Sequence, residues 1–305
     1  MSMATATKSV SSRPVQILRR LIPVAITSSS VLALAGCGYS SWAEPHRETR
    51  ALVLPHVAGS ALDLSSGNGK IEAISTDRAD VSLEVTLKSP SLERLSETRV
   101  ITHRAADNTL HISVQWPGGK RLKNEGASIS INVPDAHDIR AHSSNGSITI
   151  AGLSGHADLK SSNGSIRVDT HDGSVYASTS NGKLYAEQVS GDIEMYSSNG
   201  SISISDAFGP IRAESSNGSA VVTTMPGNAG PVRVRTSNGS ITLNLGEGLE
   251  GILKCDTSNG KVTVTELNGA TLVESSNRSV EMRFGDSDEI SAARTSNGSV
   301  RVQGR

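Results

Sequence analysis

The chain has 305 residues, of which 36% are hydrophobic and only 3% aromatic, with 29 glycines and a net charge of −1. So few aromatics suit a thin aliphatic core, and near-neutrality gives no long-range field that would draw nucleic acid or an anionic surface. No nucleic-acid partner is therefore expected.

Residues 1–36 read as an export segment. Lys8, Arg13, Arg19 and Arg20 form a basic start, and an apolar stretch follows from Leu21 to Ala35. A transmembrane helix fits less well, because the stretch is short and contains Pro23 and three serines. It ends in Leu34-Ala35-Gly36-Cys37, which resembles the bacterial lipoprotein signal. The resemblance implies cleavage before Cys37 and acylation of Cys37, so that the membrane is reached through a lipid anchor rather than a span. Gly38 is not the Asp that implies inner-membrane retention, which favours the outer membrane of a Gram-negative cell. Cys255 is the one other cysteine, so an acylated Cys37 leaves it no disulfide partner. Its inward place, expected between Val234 and Val273, makes it a small core residue.

Residues 37–50 form a polar tether, and 51–136 read as an N-terminal β cap. The cap opens with a coil-like unit, Leu62, Leu64, Asn68, Gly69, Ile71 and Ala73, and continues as the alternating strand Val81, Leu83, Val85, Leu87. From Ser89 the chain makes an excursion: a short helical turn, a predicted hairpin from residues 99–103 and 110–116, and the basic loop 120–123. Such a cap covers one end of a stack and blocks edge pairing.

Residues 137–305 read as a regular β-solenoid. The stretch Ser143-Ser144-Asn145-Gly146-Ser147-Ile148 returns at Asn163, Asn181, Asn199, Asn217, Asn238, Asn259, Asn277 and Asn297, at spacings of 18 residues four times, then 21, 21, 18 and 20. Repeats of this length mark a solenoid, in which no single repeat buries its own apolar face. Alternating residues such as Ile166/Val168 after one Asn and Val175/Ala177 before the next predict two short strands per coil, with one face buried. The fold class is thus all-β, a parallel β-helix with coils of 18–21 residues in two facing sheets. Coils in register rise about 4.8 Å each, and the nine asparagines are expected to form a structural turn ladder of stacked amides. Asn-Gly suggests a turn with positive φ at Gly146 and its equivalents. Two longer repeats are expected to bulge at Thr223–Gly230 and Leu245–Gly251, and Arg301 and Arg305 to blunt the C-terminal end of the stack.

Charges stack locally. Glu214, Arg235 and Asp256 are expected in one row with Glu274 beside Arg294, while Arg140 meets Asp158 and Glu194 meets Arg212. Exposed pairs contribute roughly 0–1 kcal/mol each, so register is their main use. Asp169, His171 and Asp172, with His156 and Asp158 one coil back, are the nearest approach to an acid/base or metal set. His171, however, stands where other coils place Leu153 or Val189, which favours a buried corner. Asp286, Asp288 and Glu289 lack calcium-loop spacing and read as a solvated loop. No catalytic residue, metal site or cofactor is expected. Tyr176, Tyr185 and Tyr196 lie on successive coils and can form a stacking platform for a glycan or an envelope protein.

The lipoprotein signal, β cap and tandem Ser-Ser-Asn-Gly-Ser-Ile coils together resemble the bacterial candidate-adhesin family of cell-envelope β-solenoid (β-helix) proteins, over roughly residues 55–305. The resemblance implies a β-helical fold and an envelope setting, and carries no catalytic residues with it. The expected function is a non-enzymatic, lipid-anchored, adhesin-like binding module presenting its solenoid faces. Two alternatives follow: a periplasm-facing accessory lipoprotein that docks an envelope partner and, more weakly, a glycan-active β-helix enzyme.

Overall fold

The computed structural model describes residues 44–265 and 267–305. The chain enters along β1 (His46–Leu54), makes a coil from β2 (Leu62–Ser66) and β3 (Ile71–Ser75), and departs along β4 (Val81–Ser89). Helix α1 (Leu92–Glu97), capped by the Ser91 hydroxyl, leads to the hairpin β5 (Arg99–Arg104) and β6 (Leu110–Gln115), then to β7 (Gly126–Val133). Two-strand coils follow: β8 (His137–Ser143) with β9 (Ile148–Ala151), β10 (Ser154–Ser161) with β11 (Ile166–His171), and β12 (Val175–Thr179) with β13 (Leu184–Val189). Next come β14 (Ile193–Ser197) with β15 (Ile202–Ala207), β16 (Ile211–Ser215) with β17 (Ala220–Thr224), and β18 (Val232–Thr236) with β19 (Ile241–Leu245). After β20 (Gly251–Thr257) and β21 (Val262–Thr265) the chain makes a hairpin, β22 (Ala270–Ser275) and β23 (Ser279–Phe284). It closes with a coil of β24 (Ile290–Thr295) and β25 (Val300–Gly304).

These strands form two facing sheets, parallel along the coils and antiparallel at the caps. The first has the order β1-β4-β7-β3-β9-β11-β13-β15-β17-β19-β25-β21, and the second β22-β23-β20-β24-β18-β16-β14-β12-β10-β8-β2-β6-β5. The period-two pattern sends every second side chain into the space between them. Ile148, Ile166, Leu184, Ile202, Ala220, Ile241, Val300 and Val262 line one inward row, and Ala141, Leu159, Ala177, Met195, Ala213, Val234, Ala293 and Cys255 line a facing one, all buried.

Coil order differs from chain order at both ends. The final coil lies between the coils of β18/β19 and β20/β21, with Val234↔Ala293↔Cys255 in register. Cys255 therefore neighbours Ala293 and, on its other side, Val280, not Val234 and Val273. Arg301 and Arg305 lie inside the stack rather than on its end, and Arg305 reaches Asp206 at 2.5 Å. The N-terminal end mirrors this, since the β2/β3 coil lies between β8/β9 on one side and β6 and β7 on the other.

One turn explains the repeated motif. The Ser or Thr two places before each Asn but Asn277 is buried, and its hydroxyl does two jobs. That of Ser161 donates to the Gly146 carbonyl of the preceding coil at 3.0 Å and accepts from the Gly164 amide at 2.9 Å. Thr179, Ser197 and Ser215 repeat the bond to Gly164, Gly182 and Gly200. Outside this bond the asparagine amides form a ladder: Asn163 Nδ2 donates to Asn145 Oδ1 at 2.7 Å, and the chain of bonds runs through Asn181, Asn199, Asn217, Asn238, Asn297 and Asn259. Asn277 is not in it. It lies in the turn between β22 and β23, which pair antiparallel, so residues 270–284 are a hairpin and not a coil.

The glycines after these asparagines are needed for a different reason from the one expected. Gly146 and its equivalents do not have positive φ. A Cβ on Gly200 would instead fall inside the contact distance of the Gly182 carbonyl oxygen, and the same holds coil after coil. The absence of Gly after Asn277 thus follows from the absence of a coil pressed against it.

At the N-terminal cap, fully buried Glu125 accepts from Arg94 Nε at 2.6 Å, Ser89 Oγ at 3.1 Å and the Leu122 amide at 2.6 Å. The Arg94 bond, followed by the other donors against the cost of burial, holds its carboxyl below the usual carboxylate range. This charge ties α1 and the 120–125 loop to the end of the stack.

Gly200→Ala is expected to cost about 1–3 kcal/mol or more, the range for overpacking a tight site. Gly67→Ala, whose Cβ meets only the flexible Arg121 side chain, is expected to be near neutral. Urea midpoints of the two variants check the contrast.

Candidate functional site

Strand pleating leaves two outward rows on the second sheet. The row five places before Asn carries Arg140, Asp158, Tyr176, Glu194, Arg212 and Arg233 in register. The row three places before Asn carries His142, Lys160, Ser178, Tyr196, Glu214 and Arg235. Tyr176 and Tyr196 are tilted neighbours with ring centroids 5.7 Å apart. Lys160 Nζ stands 5.1 Å from the Tyr176 ring and the Arg212 guanidinium 5.8 Å from the Tyr196 ring, within cation–π range. Tyr196 donates its hydroxyl to Glu194 at 2.8 Å. Burial first, then that carboxylate, push its pKa up to about 12, so the ring keeps a neutral polar edge at any physiological pH. Tyr185 is not part of this platform. It projects from β13 in the first sheet, beside Arg167, because the two outward faces point in opposite directions.

The charge rows also depart from expectation. Arg294 stands between Arg235 and Asp256, and closes on Asp256 at 3.3 Å. Glu274 faces Glu281 on β23 rather than Arg294. Arg212 and Glu194 are register neighbours, but Arg212 closes on Glu214 at 2.7 Å. Asp158 lies 3.8 Å from Arg140 and 2.8 Å from Lys160.

The acid/base candidates are not brought together. Asp169 is on the first sheet, paired with Arg167 at 2.7 Å, whereas Asp158 is on the second. Asp172 accepts from Ser190 at 2.7 Å, and the His156 ring shares a hydrogen bond with Ser174 at 2.8 Å. His171 is 2% exposed, in register with Val189, and its Nε2 donates to the Gly155 carbonyl at 3.0 Å. Burial outweighs that bond and lowers its pKa, so it is a neutral corner residue. Asp288 is an exposed carboxylate 3.4 Å from Arg283. Among the described residues no group of three His, Cys, Asp or Glu side chains is placed to hold a metal. Cys255 is fully buried, and burial followed by the nearby Asp256 charge pushes its thiol up to about 12. Cys37 and the export segment lie outside the described residues.

Two features escaped sequence reasoning. The sequence shows a Ser or Thr two places before each ladder asparagine, but not that its hydroxyl points inward. The juxtaposition of Arg235 with Arg294 had no local signal, because it depends on coil order.

His171 carries a pH signature. Its folded pKa lies below the unfolded value, so the unfolded chain takes up the proton first as pH falls through about 6.5. The stability it allows is complete above that pH and declines below it. His171→Leu, which restores the residue type of Leu153, is expected to flatten this decline in urea midpoints measured between pH 7.5 and 5.

A family model described as Toastrack DUF4097 matches residues 60–303. None of the curated proteins matches the chain. Among solved structures, a candidate adhesin from Bacteroides fragilis NCTC 9343 is 12% identical, with 85% of this chain and 97% of that chain covered and a TM-score of 0.44. A candidate cell adhesion protein from Clostridium sporogenes ATCC 15579 is 14% identical over 86% of this chain and 100% of that one, at a TM-score of 0.27. A candidate lipid binding protein from Parabacteroides distasonis ATCC 8503 is 13% identical over 85% and 96%, at 0.28.

Proposed function

The chain belongs to the Toastrack DUF4097 family, and on that premise we propose that it is a non-enzymatic binding module of the bacterial cell envelope, held to its membrane by a lipid on Cys37. The outward face of the second sheet supports this reading best. It sets Tyr176 and Tyr196 on consecutive coils, flanks them with Lys160 and Arg212, and fixes all four on a stack whose register is locked by the turns. Aromatic faces held rigidly beside hydrogen-bonding cations favour the ring and hydroxyls of a glycan, or the surface of an envelope protein, at low entropic cost. The separation of Asp158 from Asp169 onto opposite faces weighs against a glycan-cleaving pair, which needs its two carboxyls about 5–9.5 Å apart across one bond.

Among the described residues no helix is long and apolar enough to cross a membrane. Residues 46–50, expected in the tether, belong to β1 and pair with β4, so only residues 37–45 would link the lipid to the solenoid and hold it close to the bilayer. A periplasm-facing accessory lipoprotein would use the same face on an envelope partner.

Protease treatment of intact against lysed cells separates the two settings. Degradation in intact cells is expected of a surface adhesin; protection until lysis would make the accessory role the better one. Cys37→Ser is expected to release the chain from the membrane fraction in either case, and its retention there would count against the anchor.

A further inference from the structure

The intercalated final coil gathers guanidinium groups that chain order keeps apart. Arg212 on β16 is the register neighbour of Arg233 on β18, and Arg235 is the register neighbour of Arg294 on β24. Like charges directly opposite one another on adjacent strands are destabilising. Here two such pairs lie side by side. Glu214 answers Arg212 and Asp256 answers Arg294, but Arg233 and Arg235 are exposed and make no ion pair with a described residue. Ala292, beside Arg233, leaves a gap where the next strand carries Lys254. The result is a hollow of ≈ 690 Å³ lined by five arginines and only two carboxylates, on a chain whose net charge is −1.

This hollow does not stand alone. A second, of ≈ 390 Å³, shares Glu214 and Arg235 with it and runs on to Tyr196 and to the hydroxyls of Ser198, Ser216 and Ser237. The two make a continuous trough with three chemistries in sequence: an aromatic face, a row of small hydroxyls and a guanidinium cluster.

We propose that this trough binds an acidic glycan, with carboxylate or sulfate groups held by Arg233, Arg235 and Arg294 and a sugar ring resting on Tyr196. The inference rests on the reading of the second sheet as a binding face and names its ligand class. Planar guanidinium groups match carboxylate and sulfate with paired hydrogen bonds. Serine hydroxyls both donate and accept, as sugar hydroxyls require, and the tyrosine supplies an apolar face with a polar edge. An anionic bilayer would call for apolar side chains to insert, and none of the exposed large ones, such as Phe208, Val221 and Leu272, lines either hollow. The ligand also resolves the like-charge pairs, because an anion seated between them offsets their repulsion.

The test is titration calorimetry on the full chain with polygalacturonate oligomers as the carboxylate probe, heparin fragments as the sulfate probe and dextran as the neutral one. At least one acidic probe is expected to bind, more weakly as salt rises, and dextran is not. Arg233→Ser with Arg235→Ser is expected to weaken binding at least about tenfold, the loss of one or more charge-assisted bonds. Arg47→Ser with Arg99→Ser, at the N-terminal cap, is expected to leave it unchanged. Because the arginine pairs repel, the first double variant is also expected to keep or raise the urea midpoint; a marked fall would make the cluster a structural one and overturn the proposal. So would equal affinity in that variant, or failure of both acidic probes. Variant-sensitive binding to phosphatidylglycerol vesicles without saccharide binding would reassign the trough to lipid. If the acidic probes fail while Tyr176→Ala with Tyr196→Ala still abolishes capture of envelope material, the ligand class falls and the binding role stands.

Discussion

Each coil meets the next through a buried hydroxyl that accepts an amide from its own turn and donates to a glycine carbonyl of its neighbour. Nothing larger than glycine fits beneath that carbonyl, so the hydroxyl, the glycine and the asparagine amide outside them act as one unit. A buried hydroxyl or carbonyl left unpaired would be costly, and here the two satisfy each other at a corner where strand pairing has ended. The bond also fixes register. A slip of one residue would send a row of Ile, Leu and Val into solvent and would break the hydroxyl bond at every corner. The flat outward faces inherit their regularity from this turn.

Stacks of identical coils have two weak points, the chain ends and the open sheet edges. The protein handles the first by burying both terminal coils one layer deep. The β2/β3 coil is covered by β6 and β7, and the β24/β25 coil by β20 and β21. Antiparallel strands then close three of the four sheet edges, β1 and β4 with β5 and β6 at one end and the β22–β23 hairpin at the other, while β21 is the last strand of the first sheet. The intercalation that secures the C-terminus also sets Arg294 beside Arg235, so the closure of the stack and the chemistry of its face share one cause.

Much of this was legible in the amino-acid pattern, and what was not has a physical reason. Period two and period 18 identify strands, coils and the inward rows because burial dictates them locally. The stacking of asparagines from Asn145 to Asn217 follows from equal spacing alone. Asn277 misleads because it keeps the Ser-Ser-Asn context of the coils, while the missing glycine after it marks the absence of a neighbouring coil. Tyr185 was grouped with Tyr176 and Tyr196 because coil number is easier to read than sheet. Neighbours across coils are a property of stacking order, and no local pattern distinguishes a final coil on the end of the stack from one inside it. Chain order gives Cys255 and Glu274 other neighbours and puts Arg305 on the end of the stack.

The position of the closing coil is therefore the claim on which the last rungs of the asparagine ladder, the C-terminal closure and the arginine trough all depend. Disulfide trapping tests it most directly, in a Cys37→Ser background that leaves only buried Cys255. Thr242 and Arg301 are register neighbours across β19 and β25, at a spacing of about 4.8 Å that a disulfide can bridge. Thr242 and Thr263 are separated by that strand, at roughly twice the spacing and beyond its reach. Mild oxidation is expected to cross-link Thr242→Cys with Arg301→Cys and to leave Thr242→Cys with Thr263→Cys reduced. The reverse outcome would place the coils in chain order and contradict the account.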